Sequence, residues 1–128
     1  MLRAVSLLPV LLAVAGCGYD PEPEPVENST IGLHLDEYRI LPQAVSALPG
    51  PLRLIIRNDG LLPHNIAVET IPEIGSDDAP EELARTETVH SGDRAEVGFV
   101  ITEPGEYQLV CTIANHDDLG QIGTLVVE

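Results

Sequence analysis

The chain has 128 residues, with 21 acidic side chains against 6 basic ones and a formal charge of −15. It contains no lysine and only scattered arginines, so it lacks the basic cluster that displaces counterions from a phosphate backbone, and nucleic acid is excluded as a partner. The length fits one domain. A hydrophobic content of 44% suits a folded core, whereas aromatics at 3% and 11 each of proline and glycine favour short strands joined by turns.

Arg3 followed by the apolar run over residues 4–15 has the charge-then-hydrophobe layout of an export signal and is too short to span a membrane. It ends in Val14-Ala15-Gly16-Cys17, which resembles the lipobox of bacterial lipoproteins. In that reading residues 1–16 are the signal peptide and Cys17 is lipidated, tethering the protein by acyl chains. The alternative is an ordinary signal cut after Ala15 that leaves Cys17 as a thiol. Either way the protein is exported. With the lipid it lies on the outer side of the cytoplasmic membrane, in the periplasm or at the outer membrane. Residues 17–29 hold alternating prolines and acids, whose fixed φ and mutual repulsion predict an extended, solvated linker. The folded domain is expected over residues 30–128.

Within it, apolar side chains two apart share one face of a strand. Ile31, Leu33 and Leu35 switch parity to Tyr38 and Ile40, which suggests a bulge near Asp36-Glu37. Leu52, Leu54 and Ile56 face inward opposite Arg53 and Arg57, and Asn58-Asp59-Gly60 reads as the closing turn. His64, Ile66, Val68 and Thr70 share a parity, so His64 is expected to point inward. Ser76, Pro80 and the early acids of residues 76–82 predict a short surface helix. Ala95, Val97, Phe99 and Ile101 form another inward face. Pro104-Gly105 turns the chain, and Tyr107, Leu109 and Cys111 form the next face. The last strand is residues 123–127. About seven short strands with regular turn signals fit an all-β Greek-key sandwich.

If Cys17 is lipidated, Cys111 is the domain's sole cysteine, and an exported thiol with no disulfide partner calls for another role. Cys111 is followed five residues later by His116 and five further on by Gln121, with His64 on a separate strand. One thiolate with two imidazoles and a weak axial donor is the set that holds copper for electron transfer. A buried inert thiol and a hydrogen-bonded core histidine are the bland alternatives for Cys111 and His64 taken singly. His34 and His90 read as surface residues, and Gln121 as a solvated loop amide stays open.

The sequence from Thr30 to Glu128 resembles the cupredoxins, the blue-copper family that includes the plastocyanins and azurins. The resemblance rests on His64-Asn65, on Pro104-Gly105-Glu106-Tyr107 leading into Cys111, on the Cys-x4-His-x4-Gln loop and on the closing Gly123-Thr124-Leu125-Val126-Val127. It implies a cupredoxin-like sandwich with one type 1 copper, held equatorially by His64, Cys111 and His116. Asn65 and Thr112 would tie the two ligand loops together, and Gln121 would stand where the family usually has methionine. Ala114 and Asn115 replace the usual proline and glycine of the loop. The implied function is a Cu(II)/Cu(I) electron shuttle, monomeric and not an enzyme. Its redox partner would present a basic docking surface, as a cytochrome or a copper oxidase domain could, selected by Asp117 and Asp118 beside His116. The alternatives are a copper carrier or buffer without a redox circuit, and a metal-free interaction domain with the same fold. A hydrolase using Cys111 and His116 lacks an evident orienting third group.

Overall fold

The computed structural model describes Gly18 and residues 20–128. The signal segment and the lipidation site at Cys17 lie outside the described residues. Among these described residues ten strands follow in chain order: β1 (Glu24–Pro25), β2 (Thr30–Asp36), β3 (Arg39–Leu41), β4 (Ala44–Ala47), β5 (Gly50–Asn58), β6 (Ala67–Thr70), β7 (Glu82–Arg85), β8 (Arg94–Ile101), β9 (Gly105–Val110) and β10 (Ile122–Val127). They form two sheets, one of six strands in the order β1-β4-β10-β9-β6-β7 and one of four in the order β3-β2-β5-β8. The all-β sandwich expected from the sequence is therefore present, with the extra strands being short edge pieces.

The alternating aliphatics explain how the layers close. Ile31, Leu33 and Leu35 of β2 and Leu52, Leu54 and Ile56 of β5 are buried, as are Val68, Leu109, Leu125 and Val127 from the opposite sheet. Polar partners such as Arg53 and Arg57 point to solvent on the other face of the pleat. Each such aliphatic, fully buried, contributes roughly 1.5–3 kcal/mol. Cys111 belongs to this same core cluster, so the ligand candidate is packed into the sandwich and not appended to it.

Three expectations need correction. The parity switch after Leu35 is not a bulge. β2 and β3 pair antiparallel, Leu35 opposite Ile40 and Asp36 opposite Arg39, so Glu37 and Tyr38 form a two-residue hairpin connection. Tyr38 takes a φ of +65° there, a conformation an aromatic rarely adopts, which is why the turn is hard to read from sequence. Nor is there a helix in the segment around Pro80. Residues 82–85 pair antiparallel with β6 as β7, and Thr70 donates its N–H to the carbonyl of Glu81. After Pro80 too few residues remain to offset helix nucleation, while the open edge of β6 offers backbone partners at once. Finally, the acidic proline segment is extended but partly paired. Glu24 and Pro25 lie parallel to Val45 and Ser46, and the N–H of Val26 reaches the Ser46 carbonyl at 2.8 Å.

Candidate metal centre

His64 sits just before β6 and is fixed by its backbone. Its N–H donates to the Val89 carbonyl at 3.1 Å and its carbonyl accepts from Val89 at 2.8 Å. From that bridge its ring points inward, fully buried. Cys111 follows β9 directly, and its N–H donates to the carbonyl of Gln121 at 3.1 Å, closing the loop between them at its base. Inside the loop, the His116 N–H donates to the Ile113 carbonyl at 3.1 Å and its carbonyl accepts from the N–H of Gln121 at 3.0 Å. These turns carry the His116 ring back over the thiol, with Nδ1 at 3.6 Å from Cys111 Sγ.

The candidate ligand atoms of His64, Cys111 and His116 all lie within 4.8 Å of one another, and all three residues are buried. The two imidazole centroids are 5.1 Å apart, and His116 retains 7% of its surface. Among the described residues neither ring nitrogen of His64 has a hydrogen-bond partner. Buried polar nitrogens without partners are uncommon, and a ring held this way offers a lone pair to an ion placed between the three donors. Burial foremost, and then the charge of His116, holds the His64 imidazole below the ordinary histidine range, with the Glu37 carboxylate and the Gln121 amide acting in the opposite sense. A ring kept neutral is in the state a metal requires.

Gln121 is fully buried in the same region. Its Nε2 donates to the carbonyls of Asp36 at 2.9 Å and Arg39 at 3.2 Å, which leaves Oε1 buried and, among the described residues, unpartnered. The amide is therefore oriented by the β2–β3 turn, with its oxygen as the free end. Asn65 and Thr112, the residues after His64 and Cys111, are joined by three hydrogen bonds. Asn65 Oδ1 accepts from the Thr112 N–H at 2.9 Å and from its hydroxyl at 3.1 Å, and Nδ2 donates to Oγ1 at 2.9 Å, the hydroxyl acting as donor and acceptor together. This bracing sets the spacing between the two loops. His34 is far from this arrangement in role. It is exposed and pairs with Asp59 at 2.6 Å, while His90 is exposed before its turn.

Sequence reasoning missed the contribution of the hairpin tip. The Tyr38 ring stands edge-on to His116 with centroids 5.3 Å apart. Glu37 Oε1 accepts the N–H groups of Leu61 at 2.6 Å and Leu62 at 2.9 Å and lies 3.7 Å from His64 Nε2. Those two N–H groups, Leu62 before Leu61, hold the Glu37 carboxyl below its usual range. The only signal for this contribution was the parity switch itself, which a hairpin explains as well as a bulge does.

No family model matches the sequence, and no curated protein does. Solved structures resemble the fold. Reduced auracyanin from the photosynthetic bacterium Roseiflexus castenholzii superposes with a TM-score of 0.69 at 20% identity, covering 79% of this chain and 98% of that one. Auracyanin B gives 0.67 at 22% identity over 86% and 93%. Auracyanin A, a blue copper protein from the green thermophilic bacterium Chloroflexus aurantiacus, gives 0.61 at 20% identity over 81% and 99%. The chain thus has the cupredoxin-type sandwich that its sequence resemblance implied.

Proposed function

We propose that this protein is a one-electron carrier that binds a single type 1 copper ion through His64, Cys111 and His116. The observation that carries the reading is the convergence of one thiol and two imidazoles within 4.8 Å in a buried setting, together with the unpartnered nitrogens of His64. The donor chemistry fits the ion. Thiolate sulfur suits Cu(I), imidazole suits both oxidation states, and copper when bound supplies a reversible one-electron couple. The chain's part is to keep the donors still. Core packing holds Cys111, the Val89 bridge holds His64, and the Asn65–Thr112 bonds hold the loops. Fixed donors mean that little rearranges when an electron arrives or leaves. Addition of Cu(II) to the metal-free protein is expected to produce an intense visible thiolate-to-copper band with reversible one-electron cycling. Tight Cu(I) binding without that band would instead indicate a copper carrier.

Gln121 is proposed as the axial donor, supported by its buried and unpartnered Oε1. An amide oxygen is a harder donor than a thioether and favours Cu(II). Gln121→Met is therefore expected to raise the reduction potential, read by voltammetry. An unchanged or lower potential counts against axial ligation.

Electrons are proposed to pass at the His116 side, where exposed Asp117 and Asp118 flank the ligand. With a net charge of −15, the protein would attract a basic partner, a cytochrome or a copper oxidase domain, and hold it weakly. The rate of transfer to such a partner should fall several-fold between low and physiological salt. Stopped-flow rates that do not vary with ionic strength would remove this part. Export and lipid attachment at Cys17 are supported by the apolar leader and the lipobox-like Val14-Ala15-Gly16-Cys17, and mass analysis of the mature N-terminus tests them.

A further inference from the structure

We infer that Glu37, at the tip of the β2–β3 hairpin, positions the His64 ring and supplies a fixed negative charge that biases the centre toward its oxidised ion. The second half rests on the copper reading above. A glutamate at a hairpin tip normally sweeps through solvent, but this one is tied down. Oε1 takes the N–H groups of Leu61 and Leu62 and stands 3.7 Å from His64 Nε2.

The glycine below it fits the same purpose. A Cβ at Gly60 would overlap the Glu37 carboxylate, lying 2.9 Å from Cδ and closer still to Oε1, and the Gly60 backbone is not in the left-handed region that would otherwise demand glycine. The absence of a side chain there leaves the room the carboxylate occupies. Loop, carboxylate and ring therefore form one assembly.

Two consequences follow from elementary chemistry. A carboxylate facing Nε2 favours the tautomer with its proton on Nε2, which frees the Nδ1 lone pair for the ion. A negative charge beside the ring also stabilises a doubly charged ion more than a singly charged one.

The test uses the full-length protein. In the metal-free form, nitrogen NMR of the His64 ring is expected to find the proton on Nε2, and a proton on Nδ1 overturns the positioning role. In the copper-loaded form, Glu37→Gln keeps an oxygen for the Leu61 and Leu62 N–H groups but loses the charge. It should shift the affinity ratio toward Cu(I) about tenfold, equivalent to about 59 mV for a one-electron couple. Gly60→Ala, which displaces the carboxylate without altering it, should shift the potential in the same direction. Potentials unchanged in both variants, with the visible band intact, overturn the charge role. If wild-type protein gives no such band, the copper reading fails separately, and the tautomer measurement still decides the positioning role.

Discussion

Replacing Cys111 with serine is expected to abolish the intense visible band of the copper-loaded protein while leaving the sandwich folded. Cys111 is fully buried within the core cluster, and serine is close to it in volume. The new hydroxyl, on a shorter C–O bond, comes no nearer than the present sulfur to His116 Nδ1, which stands 3.6 Å away, beyond an ordinary O–H···N bond. The cost to stability of the metal-free protein should therefore be that of one buried hydroxyl without a close partner, about 1–3 kcal/mol. The effect on the metal should be severe. A hydroxyl is neither soft nor ionised at neutral pH, so the covalent coupling between sulfur and copper disappears and the preference for Cu(I) goes with it. Copper affinity should drop well beyond the roughly 10–100-fold that changes behind the ligands cause. Titration by absorbance and by calorimetry, beside unfolding of the metal-free variant, checks both halves. His90→Ala, at an exposed residue before a turn, is the control and should change neither. A band that survived Cys111→Ser would show that the sulfur does not hold the ion.

The residues that the sequence made legible are those whose position is set by simple alternation. Leu52, Leu54 and Ile56 follow from a period of two, because one side of that strand is dry and the other is wet. His64 and Cys111 are buried as expected, but they lie just outside β6 and β9 with Asn65, Ala67 and Val110 buried beside them, so alternation alone does not place them. The ligand loop was legible for a different reason, since the residue types are chemically restricted and the spacings are short. What stayed hidden depends on pairing across long separations. Glu37 meets Leu61 and Leu62 from 24 and 25 residues away, and Gln121 is oriented by carbonyls 82 and 85 residues distant. Neither contact leaves a mark in local composition. Residues 82–85 show the reverse failure, in which helix-start signals around Pro80 were outweighed by the backbone bonds available along β6. Asn58 shows a third, because its type suits a turn and also suits a buried bracket, and only the structure separates the two.

That bracket yields the second large effect. Asn58 is fully buried. Its Nδ2 donates to the carbonyls of Leu62 at 2.7 Å and Val89 at 3.0 Å, and its Oδ1 accepts from the Gly60 N–H at 2.9 Å. Val89 is the residue that bridges to His64, and Leu62 precedes His64 by two positions. One amide therefore holds the chain on both sides of a ligand. Asn58→Ala removes all three bonds, so the Gly60 N–H and the Leu62 carbonyl lose this partner while the Val89 carbonyl keeps the His64 N–H, and a loss of about 3 kcal/mol is expected in urea unfolding of the metal-free protein. Asn58→Asp should be worse. It retains the acceptor for Gly60, but it turns a carboxylate oxygen toward two carbonyls that the amide had been donating to, and a buried charge without a counter-ion is more costly than a missing bond. This ordering, with the parent most stable and the aspartate variant least, is specific to a donating role, since an ordinary turn position accepts aspartate as readily as asparagine. A variant series in which Asn58→Asp equalled the parent, or in which Asn58→Ala lost less than about 1 kcal/mol, would show that the amide braces nothing. In the copper-loaded variants His64 should also sit less firmly, and the visible band should broaden in step with the loss of stability.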